Sequence, residues 1–140
     1  MPYEGVAWKD KYRLGNEQVD EQHHQLFVLV SELIASCEDG NDACKLKETL
    51  DFLVEYTIHH FNDEEALQLR YNFPDLERHK KLHEEFKVTA QELQRHFAES
   101  GSSVELSNDV SKIVVKWLIS HILNEDKKIG VHIRSVKEQA

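Results

Sequence analysis

Between His60 and His83 the chain reads HFNDEEALQLRYNFPDLERHKKLH. His60 and Glu64 stand four apart before a turn at Pro74, and His79 and His83 stand four apart after it. Residues four apart on an α-helix lie about 40° apart around its axis, so each pair points two ligand-type side chains the same way. Three imidazoles and a carboxylate therefore converge across one turn, a donor set suited to a metal ion.

These residues need elements to position them, and the rest of the chain provides a helical period. Residues 1–19 carry Pro2, Gly5 and Gly15 with no sustained period, and read as an extended arm whose Trp8 and Tyr12 pack against the body. From Asp20, an expected N-cap, His23, Leu26, Phe27, Val30, Leu33, Ile34 and Cys37 recur at helical spacing until EDGND breaks it. Leu46, Leu50, Leu53, Thr57, His60, Glu64 and Leu67 form a second seam, and Leu76, His79, His83, Phe86, Ala90, Leu93 and Phe97 a third. Val110, Val114, Trp117, His121 and Glu125 form a fourth, ending near Lys128, where Lys127 and Lys128 suit the negative end of the helix dipole. The expected fold is all-α: an up-down-up-down antiparallel four-helix bundle over 20–130, with the arm before it and a tail over 131–140.

In such a bundle the polar intruders of all four seams share one depth. His23 starts the first helix, His60 and Glu64 lie late in the second, His79 and His83 start the third, and His121 lies late in the fourth. A carboxylate buried among imidazoles lacks a fixed positive charge, and a metal supplies it. Five His and at least two carboxylates exceed the needs of one tetrahedral ion, so two bridged ions fit better. Imidazole with carboxylate favours iron, manganese or zinc. The H-x-x-x-H spacing of His79 and His83 is shared with zinc proteases, but Lys80 stands where their general-base Glu belongs. His24, His59, His96 and His132 fall off the seams or beyond the bundle and read as surface residues. In the run Asp63 to Glu65, Glu64 is the one inward member.

Length and charge bound the rest. The 140 residues fit one domain, and a net charge of −9 argues against nucleic acid and membrane surfaces as partners. No apolar run has the length of a signal peptide or a membrane span, so a cytoplasmic location is expected, with Cys37 and Cys44 as free thiols. The chain is expected to be a monomer.

The sequence resembles the hemerythrin family, specifically its single-domain bacterial members. The match runs through Trp8, VDEQHHQLF at 19–27, HFNDEE at 60–65, FPDLERHKKLH at 73–83 and WLISHILNEDKKIG at 117–130. The resemblance implies reversible O2 binding, not enzymatic turnover, at a non-haem centre of two iron ions, Fe(II) or Fe(III), with an oxo or hydroxo bridge. By the same resemblance His79, His83 and His121 hold one iron, His23 and His60 the other, and Glu64 and Asp126 bridge them. Phe27, Phe61, Trp117 and Leu118 are then expected to line the O2 pocket. The alternatives are an O2, redox or iron sensor, or an enzyme consuming peroxide or nitric oxide. The family commonly has Met where Gln68 stands and an aromatic where Ile129 stands. One conflict remains within the sequence. A regular helix favours Glu125, four after His121, as the second carboxylate, whereas the family pattern selects Asp126, five after. Asp126 therefore requires a locally altered helix, a π-type turn being the simplest.

Overall fold

A computed structural model of the chain describes residues 8–39, 43–100 and 108–139. Four helices pack as the antiparallel bundle that the four seams require. Helix α1 spans Glu17–Asp39, α2 Ala43–Arg70 and α3 Leu76–Ser100. Helix α4 spans 108–139 without a break, but its backbone alternates between two geometries. It is π-helical over Val110–Val115 and His121–Asp126, and α-helical over Lys116–Ser120 and Lys127–Gln139. Among the described residues there is no strand.

The main core fills the half of the bundle away from the histidines. Leu26, Val30 and Leu33 of α1 meet Leu50, Leu53 and Phe61 of α2, Phe86, Ala90 and Phe97 of α3, and Val114, Leu118 and Ile122 of α4. A smaller core closes the opposite end: Leu14, Val19, Leu67, Phe73, Ile129 and Ile133. The polar cluster lies between the two, sealed at both ends by apolar side chains.

Two boundaries differ from expectation, each for a local reason. Helix α1 begins at Glu17, and its cap is Asn16, whose Oδ1 accepts the Val19 N–H at 3.0 Å. Asp20 is not the cap. Its carboxylate accepts the Leu14 N–H at 2.6 Å and the Gly15 N–H at 3.1 Å, tying the arm to α1, while Gly15 takes the positive φ of 97° that this bend requires. The second difference is at the end of α4, which does not stop near Lys128 but runs helically through the expected tail to Gln139. Gly130 acts there as a contact residue instead of a terminator. A Cβ on it would come within 2.8 Å of the Leu14 carbonyl oxygen, so its missing side chain lets the arm press against α4, and Ile129 and Ile133 are buried beside it.

The arm packs as expected in the part described. Trp8 meets Phe27 edge-on at 5.5 Å, stacks on His24 at 5.3 Å, and touches Tyr12. Residues 1–7 lie outside the described part, as do the side chains of Cys37 and Cys44. The α2–α3 turn is a Schellman-type cap. Phe73 N–H bonds the Gln68 carbonyl, Asn72 N–H bonds that of Leu69, and Asn72 takes the left-handed φ of 53°. That reversal sets His79 and His83 opposite Glu64.

Candidate metal centre

Seven buried side chains from all four helices meet between the two cores. His23 comes from α1, His60 and Glu64 from α2, His79 and His83 from α3, and His121 and Asp126 from α4. Their ligand-type atoms form two overlapping groups, each within 4.8 Å: Glu64, His79, His83, His121 and Asp126, and then His23, His60, Glu64 and Asp126. Glu64 and Asp126 belong to both. These seven are the side chains expected as metal ligands, and the fold brings them together.

The two carboxylates divide their oxygens between the groups. Glu64 Oε1 lies 2.9 Å from His79 Nε2 and 3.2 Å from His83 Nε2, while its Oε2 lies 3.1 Å from His60 Nε2 and 3.4 Å from His23 Nε2. Asp126 Oδ1 lies 3.0 Å from the Nε2 atoms of both His79 and His121, and its Oδ2 lies 2.9 Å from that of His23. Each carboxylate thus turns one oxygen to two of the rings His79, His83 and His121, and the other to His23, joined by His60 in the case of Glu64. This is a bridging arrangement in its geometry alone.

Asp126 reaches the centre because the helix changes. Five residues of regular α-helix turn about 500°, which would leave Asp126 roughly 140° away from His121. The π segment His121–Asp126 removes that offset, and Asp126 is fully buried at the site. Glu125 points elsewhere. It takes a two-pronged ion pair from Arg78, 2.6 and 3.1 Å, at the partly exposed α3–α4 surface, and that pairing with Arg78 lowers its pKa to about 2.

Outer partners fix two of the rings. Glu65 Oε2, 2.8 Å from His83 Nδ1, accepts that ring's hydrogen and leaves the Nε2 lone pair facing inward. Gln22 Oε1 does the same for His60 Nδ1 at 2.7 Å, and Gln22 is itself held by donating to Asp63 Oδ2 at 2.8 Å. Sequence reasoning missed these three, treating Asp63 and Glu65 as a solvated face. Their adjacency in sequence to His23 and Glu64 was the available signal. Aromatic rings complete the walls: Phe61 stacks on His83 at 3.7 Å and Trp117 on His121 at 4.5 Å, while Leu118 and Phe27 are buried in the adjoining core. Of the histidines expected at the surface, His24, His59 and His96 are exposed. His132 is half-buried, with Nε2 2.8 Å from the Tyr71 carbonyl oxygen.

Without a cation the donor set is in conflict. The Nε2 atoms of His79 and His83 each lie 3.1 Å from that of His121, and three neutral rings that turn lone pairs to a common point cannot satisfy one another. Glu64 Oε2, both Asp126 oxygens, His23 Nε2 and His60 Nε2 are buried without a hydrogen bond despite these short separations. In the metal-free protein protons relieve part of the conflict. Burial pushes the His23 and His79 rings down, but Asp126 and Glu64 outweigh it and hold each at about 9. Burial likewise raises the Glu64 carboxyl, yet the charge of His60 and contacts with His23, His60 and His79 hold it well below the usual carboxylate range. Burial and the Glu64 charge push Asp126 up, and the nearby histidines bring it down overall. Metal ions satisfy the same atoms more completely, since a cation accepts lone pairs from nitrogen and oxygen alike. The residues fit a metal centre.

Fold and site together define an all-α bundle protein with a buried histidine–carboxylate centre. The family described as the Hemerythrin HHE cation binding domain matches residues 14–132, and the chain belongs to the hemerythrin family. It is 30% identical over 125 residues to the myohemerythrin of Theromyzon tessulatum, covering 89% of this chain and 91% of that protein. A hemerythrin-like protein of Naegleria gruberi is 32% identical over 121 residues, 86% of this chain and 87% of that one. The bacteriohemerythrin of Pseudomonas paraeruginosa is 28% identical over 121 residues, 86% and 76% respectively. Among the described residues no helix is long and apolar enough to cross a membrane.

Proposed function

We propose that the chain binds O2 reversibly at a centre of two iron ions, held by His79, His83 and His121 on one side and His23 and His60 on the other. Glu64 and Asp126 would bridge the two, with an oxo or hydroxo group as the third bridge. The observation that carries this reading is the division of both carboxylates between two groups of imidazoles. When bound, an iron pair supplies the electrons for taking up and releasing O2.

The chain's own residues do the rest. Five neutral imidazoles present lone pairs, with Glu65 and Gln22 keeping the hydrogens of His83 and His60 on the far nitrogens. The smaller group has two rings against three, so a metal held there would have the more open coordination. Phe61 and Trp117, stacked on His83 and His121, with Leu118 and Phe27 in the adjoining core, would keep water from the centre. Every buried ionisable group at the centre is one of the seven proposed ligands, so no acid or base remains inside to drive turnover. That favours binding over catalysis. A monomeric cytoplasmic O2 binder is the resulting description.

Cycling the iron-loaded, reduced protein between O2 and argon tests it. We expect an absorption band that rises with O2 and disappears on its removal over repeated cycles, with two irons per chain. Steady O2 or peroxide consumption without a reversible band would establish the enzymatic alternative, and a single tightly held zinc would overturn the reading.

A further inference from the structure

Outside the metal centre, the arm and α4 enclose a cavity of about 260 Å³. Among the described residues its lining carries three cations, Lys11 and Arg13 from the arm and Lys127 from α4, and no carboxylate. That grouping runs against the composition, since the chain has 26 acidic residues and 17 basic. Leu14, Ile122 and Leu123 make up the apolar part of the lining.

The cations are not spent on one another's neighbours. Among the described residues neither Lys11 nor Lys127 makes an ion pair. Lys11 lies over the Tyr12 ring, 5.8 Å from its centre, while it is Lys128, not Lys127, that meets Glu125. Arg13 pairs with Asp10 at 3.5 Å, but both side chains are exposed, so that contact contributes little. Like charges gathered around one recess repel, and the recess focuses their field on whatever anion enters it.

The walls are held by backbone bonds. A 3-10 turn over Asp10–Tyr12 is closed by the Tyr12 N–H to the Lys9 carbonyl at 2.9 Å and the Arg13 N–H to the Asp10 carbonyl at 3.1 Å. Asp20 then fixes the Leu14 and Gly15 N–H groups, and Leu14 presses on Gly130. Ile122 and Leu123 belong to the π segment His121–Asp126, and Lys127 follows it directly. A wall fixed in advance reduces the ordering cost of binding.

We infer that this cavity binds a small aliphatic dicarboxylate. Two cations stand on the arm and one on α4, so the charges favour a ligand with an anionic group at each end over one compact anion. Its carbon body gains from burial against Leu14, Ile122 and Leu123. The occupant joins the arm to α4 beside the segment that carries Asp126. No metal takes part, so the site stands apart from the proposed function.

Equilibrium dialysis of the purified full chain against labelled succinate, in about 0.1 M salt to screen diffuse attraction, tests it. We expect saturation at one succinate per chain. Lys11→Gln, Arg13→Gln and Lys127→Gln should each weaken binding about tenfold, the loss of a charge-assisted contact. Lys9→Gln removes the same charge from the same arm outside the lining, and should leave the affinity unchanged. No saturable binding, an equal loss in Lys9→Gln, or no loss in the three lining variants overturns the site. Inorganic phosphate bound more tightly than succinate overturns the two-ended ligand.

Discussion

Glu64 and Asp126 occupy equivalent places at the centre but arrive by different backbones. Glu64 stands four residues after His60 in regular α-helix, so its position follows from spacing alone. Asp126 stands five after His121, and only the π segment His121–Asp126 brings it in line. The residue that regular geometry would choose, Glu125, is occupied by Arg78 at the surface. Spacing is thus a reliable guide where the helix is undisturbed. Where the spacing of the clustered side chains conflicts with the helical period, it is the backbone that changes.

The largest expected effect comes from removing either carboxylate. Asp126→Ala should lose at least one metal per chain even though Glu125 is next to it, because Glu125 faces away and stays with Arg78. Glu64→Ala should lose both metals and lower the melting temperature as well, since four imidazoles lose the partner they converge on. Elemental analysis and calorimetry check both. Full metal content in Asp126→Ala would mean that Glu125 can substitute, and would erase the distinction between the two backbones.

Proton linkage gives the next effect. In the metal-free protein His23 and His79 have pKa values raised from the ordinary 6.5 to about 9. A raised histidine stabilises fully below its unfolded value and loses that contribution as pH climbs through its folded value. Stability of the metal-free bundle should therefore fall between pH 6.5 and about 9. It should also fall in acid, as the depressed Glu64 and Asp126 are forced to protonate. Metal binding near neutral pH should release about two protons per chain, measurable in a weakly buffered titration.

Gly130→Ala probes the smaller core, outside the candidate metal centre. The added methyl meets the Leu14 carbonyl at 2.8 Å and its Cβ at 3.0 Å, and overpacking of this kind costs about 1–3 kcal/mol. We expect a lower melting temperature with metal content retained, read by calorimetry and elemental analysis. Arg78→Ala should have the smallest effect. It frees Glu125 but leaves the π segment intact, so metal content should not change.

How much of this was legible in the sequence depends on whether the helical period was obeyed. The seams of α1, α2 and α3 are regular, and His23, His60, Glu64, His79 and His83 fall on them at one depth. The fourth seam was misread at Glu125 because period alone cannot show a π turn; only the resemblance singled out Asp126. The helix was expected to end near Lys128, but it continues to Gln139, and Gly130 within it allows the close approach of Leu14, distant in sequence. Gln22, Asp63 and Glu65 were hidden for a related reason. Their partners lie across helix boundaries, 38, 41 and 18 residues apart in the pairs His60 with Gln22, Gln22 with Asp63, and His83 with Glu65.

The most direct test of the central claim is anomalous diffraction at the iron edge from crystals of the iron-loaded protein. The account predicts two iron peaks per chain, with one oxygen of Glu64 and one of Asp126 on each, and the π turn kept between His121 and Asp126. A single peak, or two peaks with Glu125 in place of Asp126 on a regular helix, would contradict it.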